Sequence, residues 1–229
     1  MNATRFPDSE ALYGAATRLV ETVAAEAIAA RGRFRIALAG GTTPRPLYQR
    51  LSRSERIDWP HVHVFWSDER CVPSEDPASN AGAARRDLLD RVPVPPSQIH
   101  RIEGEHRPIE AADAYEALLR RELGEDGRLD LVLLGLGVDG HTASLFPEQP
   151  ALSEVHRWIL PVRVDAQPPW RVTMTLPLIR RARNVLLLAT GTEKAEVVSR
   201  IEGGERLPAG RVAPRRGRLT WMIDREAGG

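Results

Sequence analysis

Residues 129–147 read LDLVLLGLGVDGHTASLFP, from Leu129 to Pro147, and the fold turns on how this stretch is read. A near-continuous apolar run ends in a glycine-rich turn that carries Asp139 and His141. Such a run predicts a strand buried on both faces of a parallel sheet, over 130–135. A turn presenting an acid and an imidazole at a strand's carboxyl end is where open α/β sheets assemble active sites. Gly135, Gly137 and Gly140 also satisfy GxGxxG, the dinucleotide pattern. The continuation argues against that reading. Pro147 leaves room for only a short helix, whereas a dinucleotide unit of roughly 30 residues needs a full crossover helix.

Outward from this strand, apolar runs alternate with helix-like segments, as in βαβ units. Helical periodicity over 8–31 precedes a strand at 34–40, and Pro44 and Pro46 fit the first turn of a helix running to about Arg53. HVHVFWSD predicts a strand at 61–68, and helices are expected at 80–91 and 109–123. Further strands are expected at 157–163, 171–176 and 184–190, a helix at about 193–202, and a last strand or extended segment at RLTWMID. The pattern predicts an α/β fold, a three-layer αβα sandwich around a mostly parallel, Rossmann-like sheet. No repeat or linker divides the chain, so residues 1–229 are expected to form one domain.

Composition narrows the function classes. With 42% hydrophobic and 28% charged residues and a net charge of +1, nothing draws the chain to nucleic acid or an anionic membrane. The one cysteine, Cys71, excludes an intramolecular disulfide and any CxxC site. Asp8, Glu10, Glu21 and Glu26 in the first helix, with no apolar core, argue against an export signal, so a cytoplasmic location is expected. Of the 32 basic residues only Lys194 is lysine. A background that writes arginine for surface cations makes that lysine a candidate for a specific role.

Three turns carry candidate chemistry. Gly40-Gly41-Thr42-Thr43-Pro44 joins a strand to a helix. Its glycines allow close backbone approach and its threonines add donors, so it fits a phosphate cradle. A tight βα turn with a threonine cap fits the same letters. Asp68 and Arg70 follow the second strand, where Asp68 could orient hydroxyls or a base and Arg70 could neutralise an oxyanion or phosphate. Asp139 stands two residues before His141 and could fix its tautomer or raise its basicity. Thr192 fits an N-cap, placing Lys194 in a first helical turn, where an anionic ligand would offset the macrodipole. Arg171, opening RVTMTLP, is a weaker candidate. His61 and His63 are expected on one strand face, and with no third ligand near in sequence no metal site is expected.

Together ALAGGTTPRPLY, VHVFWSDERCVP with SNAGAARRDLL, LDLVLLGLGVDGHTASLFP, PPWRVTMTLPLI and ATGTEKAEVV resemble the 6-phosphogluconolactonases. These lie within the wider glucosamine-6-phosphate isomerase/6-phosphogluconolactonase family, and the resemblance spans essentially the whole chain. It implies hydrolysis of a phosphorylated sugar lactone, 6-phospho-D-glucono-1,5-lactone, without a cofactor. It further implies that Gly40, Gly41, Thr42 and Thr43 cradle the 6-phosphate, with Arg171 and Lys194 as countercharge. Asp68 and Arg70 would lie beside the sugar ring, and His141 would be the base, assisted by Asp139. The deaminase branch resembles DGHIAFNEP at the third motif, with a glutamate that tunes the histidine; here that position is Phe146, and DER replaces DEY. Both departures favour the lactonase. A phosphosugar-sensing module is the alternative outside enzymes, and no output domain such as a helix-turn-helix is recognisable. No GxSxG elbow supports a serine triad. A monomer or weak homo-oligomer is expected.

Overall fold

The computed structural model describes residues 3–229. The elements, in chain order, begin with β1 (Ala3–Phe6), α1 (Ser9–Arg31), β2 (Phe34–Leu38), α2 (Arg45–Leu51), β3 (Val62–Trp66) and β4 (Asp68–Arg70). There follow α3 (Asn80–Asp87), α4 (Pro108–Leu123), β5 (Leu131–Gly135), β6 (Ile159–Arg163), β7 (Trp170–Met174) and α5 (Leu176–Ile179). The chain ends with β8 (Asn184–Ala189), α6 (Ala195–Glu202), β9 (Arg218–Asp224) and α7 (Arg225–Gly228).

Six strands form one wholly parallel sheet in the order β1-β9-β8-β5-β2-β3. Residues Leu131–Leu134 of β5 are buried, as a strand covered on both faces requires. From β2 the chain proceeds to β3 on one side of β5, and from β5 the sheet continues to β8 and β9 on the other. The loops leaving β2 and β5 therefore diverge, which opens a crevice at the carboxyl ends of these two neighbours. That crevice lies between the Gly40–Thr43 and Gly137–His141 turns.

Helices cover the sheet through apolar stripes. In α1, Leu12, Ala16, Val20, Ala24 and Ala27 are buried on one face. Asp8 caps the helix by accepting from the Ala11 amide at 2.8 Å, and Gly32 ends it with φ 70° and an amide bond to the Ile28 carbonyl. This helix packs on β2, β9 and α2, whereas α4 packs along β6 and β7. No helix among the described residues is long and apolar enough to cross a membrane.

The α/β sandwich expected from the sequence is present, with local departures. Strands β4, β7 and β6 form a second, antiparallel sheet that the alternation pattern did not reveal. Its cause is in the connections. Only residues 164–169 join β6 to β7, too few for the crossover of a dozen or more residues that parallel pairing demands. HVHVFWSD is two pieces. His61 closes a 3-10 turn, β3 ends at Trp66, and Asp68 starts β4 in the other sheet, so His61 and His63 do not share a strand face. No helix follows His141; Thr142 and Leu145 form an isolated bridge before a 3-10 turn at Pro150–Ser153. Neither threonine of the first turn caps α2, whose N-cap is Pro44. Thr192 likewise caps nothing: it opens a 3-10 turn, and Lys194 itself occupies the N-cap of α6.

Candidate active site

The crevice holds a cavity of about 290 Å³ lined by the three turns, Lys194 and the end of β5. Gly40–Thr43, Asp68, Arg70, Gly137, His141 and Lys194 all face it. Segments from β2, β3/β4, β5 and α6 thus converge on one space, as their order along the sheet requires.

The first turn is shaped by close approach. A Cβ on Gly40 would meet Asn80 Oδ1 at 2.1 Å, and Gly41 has φ 86°, a conformation that disfavours side chains. Tyr13 donates its hydroxyl to the Thr43 carbonyl at 2.7 Å, tying the turn to α1. Tyr48 closes the end of β2, its hydroxyl donating to the Ala39 carbonyl and accepting from the Ala39 amide.

Asp68 is buried and held on both carboxylate oxygens. Ser144 donates to Oδ2 at 2.6 Å, and the Asn80 side-chain amide donates to Oδ1 at 3.3 Å and to the Asp68 carbonyl at 2.9 Å. Its neighbour Glu69 turns the other way, to the start of α3. There it accepts from the amides of Asn80 and Ala81, each at 2.7 Å, and from the Ser79 hydroxyl at 3.1 Å. Burial pushes the Glu69 carboxyl up, against the pull of these backbone donors. Ser144, Asn80 and Glu69 escaped the sequence reading. Ser79 and Asn80 at the head of a helix gave a faint signal, and Ser144 gave none.

Arg70 reaches the Ala78 carbonyl at 2.7 Å from one end of its guanidinium. Across the β4–β7 ladder Arg70 pairs in register with Arg171, which is buried, has an unpartnered Nη1 and does not line the cavity. Burial and then the positive Arg70 push the Arg171 guanidinium below the ordinary arginine value, with Asp68 opposing. Among the described residues Lys194 Nζ has only a long 3.9 Å approach to Glu193, and its side chain is 14% exposed, so it is available to an anion in the cavity.

The third turn presents the imidazole. Asp139 Oδ1 accepts from the His141 amide at 3.0 Å and lies 2.6 Å from Nδ1. A carboxylate only accepts, so Nδ1 carries a proton, and in the neutral ring Nε2 is then the nitrogen with the lone pair. The Gly137 amide donates to the His141 carbonyl at 2.8 Å, and Gly140 adopts φ 86° to complete the reversal. Phe146 packs on the imidazole with centroids 4.2 Å apart. Asp139 faces the adjoining cavity of about 510 Å³, beside Arg200 and Arg211, rather than the first one. It touches the histidine from behind.

The family model described as glucosamine-6-phosphate isomerases/6-phosphogluconolactonase matches residues 7–221. A 6-phosphogluconolactonase of Synechocystis sp. is 43% identical over 218 residues, covering 91% of this chain and 89% of that protein. Among solved structures, 6-phosphogluconolactonase from Thermotoga maritima superposes with a TM-score of 0.87 at 26% identity, covering 97% of this chain and 99% of that one. A monomeric glucosamine-6-phosphate deaminase superposes with a TM-score of 0.83 at 25% identity, covering 99% and 98%. Shape alone does not separate lactone hydrolysis from deamination, so the side chains around the histidine must.

Proposed function

The chain belongs to the glucosamine-6-phosphate isomerase/6-phosphogluconolactonase family, and we infer that its activity within that family is hydrolysis of 6-phospho-D-glucono-1,5-lactone to 6-phospho-D-gluconate. The observation that carries the choice is Phe146, whose ring lies against His141 where the deaminase pattern has a glutamate. An apolar ring leaves the imidazole to Asp139 alone. Curated relatives named as 6-phosphogluconolactonases, at up to 43% identity, support the same reading.

In this mechanism the 6-phosphate occupies the Gly40–Thr43 turn, with the Gly41 backbone, the Thr42 and Thr43 hydroxyls and Lys194 as donors. Arg171, behind Arg70, adds positive potential. His141 Nε2 takes a proton from water as the water oxygen attacks carbon 1 of the lactone. Arg70 neutralises the tetrahedral oxyanion, in a cavity whose partial exclusion of water strengthens that attraction. The bond from carbon 1 to the ring oxygen then breaks, and the imidazolium returns its proton to that oxygen. The product acid ionises to solvent. Asp139 holds the tautomer throughout, and Asp68, fixed by Ser144 and Asn80, orients the sugar hydroxyls. No step calls on a cofactor. A cytoplasmic monomer or weak homo-oligomer completes the reading.

The test is acid release from freshly generated lactone, corrected for spontaneous hydrolysis, with glucosamine 6-phosphate assayed in parallel for ammonia. His141→Asn is expected to lose 10²- to 10⁴-fold in kcat, about the range for a general base, while still binding 6-phosphogluconate. Ammonia release, or an unchanged kcat in His141→Asn, would overturn the reading.

A further inference from the structure

At the amino half of β3, away from the carboxyl ends that form the lactone cavity, two histidines and a glutamate converge. His63 is the second residue of β3. Ile99 bridges Val64 in parallel, and the His100 amide donates to the Val64 carbonyl at 2.8 Å, so the segment carrying His100 runs along the outer edge of the sheet. Glu122 lies in the last turn of α4. We propose that His63, His100 and Glu122 form a binding site for a divalent transition metal of zinc-like softness, independent of the lactone chemistry.

The spacing of the donors is the main argument. His63 Nδ1 and His100 Nε2 lie 3.1 Å apart. Two nitrogens on a tetrahedral metal with bonds of about 2.0–2.1 Å are separated by about 3.3 Å. One donor atom from each of the three residues lies within 4.8 Å of the others. Glu122 therefore has to close by no more than about 1.5 Å to complete three ligands, with water in the fourth position. It can do so, because its partly exposed carboxylate is held by the neighbouring, exposed Arg121 at 2.9 Å.

The imidazoles are pre-set. His100 is buried between two rings, stacked on Phe65 with centroids 4.6 Å apart and on His63 at 5.4 Å. Donor chemistry selects the ion. Beside two imidazoles, Glu122 is the only carboxylate of the set. Calcium and magnesium, which rely on oxygen ligands, are disfavoured there, whereas imidazole suits zinc, nickel and copper. A bound ion would clip the edge strand to the 99–100 segment and to the end of α4, stabilising the fold by linkage.

The experiment strips the full-length protein with a chelator, then titrates it with zinc chloride by calorimetry and with cobalt(II) by visible absorption. One ion should bind per chain, with a tetrahedral cobalt spectrum and a raised Tm. His63→Ala and Glu122→Gln should each weaken binding about tenfold or more, a loss at least as large as that for losing a ligand's supporting partner. Because His100→Ala risks unfolding, the half-buried His63 carries the test, with the Tm of the metal-free variant as the fold check. Exposed-histidine variants His61→Ala and His106→Ala, and the active-site variant His141→Ala, should bind as the parent does. Absence of saturable binding, or wild-type affinity in both His63→Ala and Glu122→Gln, would leave only a hydrogen bond between two histidines and overturn the proposal.

Discussion

Replacing Gly137 by alanine displaces the His141 imidazole, the base of the proposed mechanism, without removing it. A Cβ at this position would stand 2.1 Å from His141 Nδ1, 2.2 Å from Cε1 and 2.7 Å from Asp139 Oδ1. Ordinary carbon contacts begin near 3.4 Å, so the ring must retreat by about 1.3 Å, and the carboxylate that holds it is crowded by the same methyl. Retreat is limited on another side by Phe146, whose ring already packs on the imidazole. A displacement of about 1 Å at a reacting group costs about 10²-fold in rate, or about 2.7 kcal/mol in the barrier. Because the Gly40–Thr43 turn, the proposed phosphate cradle, is untouched, kcat and kcat/KM should fall together while affinity for 6-phosphogluconate holds. Gly137 lies outside the positive-φ region, so alanine is compatible with its backbone, and the amide bond to the His141 carbonyl survives. The assay is steady-state lactone hydrolysis, paired with product-binding calorimetry and a thermal melt. A kcat within about twofold of wild type, in a variant with an unchanged melt, would refute the placement of His141 at the reacting carbon, since ~1 Å of displacement should be felt.

Three further outcomes follow from the geometry. Lys194→Met should raise KM about tenfold or more with little change in kcat, as expected for a charged contact made equally in ground and transition states; steady-state kinetics check it. Phe146→Glu puts a carboxylate against the His141 ring, which favours the imidazolium; the acid limb of the kcat/KM profile should move to higher pH, without ammonia release from glucosamine 6-phosphate. Asp87→Asn should cost about 1 kcal/mol near neutrality by cutting the α2–α3 tie, since Arg45 Nε lies 2.6 Å from Asp87 with its own side chain half in solvent. Arg45, opposed by burial and helped by Gln49, holds the Asp87 carboxyl below the ordinary aspartate value. Its contribution is therefore full above that value and disappears as pH falls through the depressed one, so thermal melts of the variant and the parent should converge in acid.

The fold was legible where one period dominated over a long stretch. The buried run of β5 and the alanine-rich stripe of α1 needed only their own residues, because burial on both faces or on one helical face leaves a local pattern. The second sheet left no such pattern. Strands β4, β7 and β6 are short, and their pairing depends on a sharp departure at Ser67, whose amide donates to the Leu38 carbonyl while its own carbonyl accepts from Met174. These bonds join residues far apart in sequence, so HVHVFWSD read as one strand. Pairing across the edge also hid His100, which lies 37 residues from its partner His63.

The same distinction divides the site. The positions of His141, Asp139 and the Gly40–Thr43 turn were readable because each follows the end of a strand, and strand ends can be found in a sequence. Asp68 was readable as an acid at such an end, but not the reason it stays in place. Its two oxygens are satisfied by Ser144, on the His141 loop, and by Asn80, at the head of α3. Asn80 also sets the glycine requirement at position 40, since its side chain fills the space a Cβ would need. Asp68 thereby couples all three turns: the Gly40–Thr43 turn through Asn80, the histidine loop through Ser144, and the charged motif through its own strand. A buried carboxylate left without those donors would meet the full cost of desolvation. The position of Asp68 therefore depends on the correct relative placement of β2, β4 and β5, and the site assembles only when the sheet does.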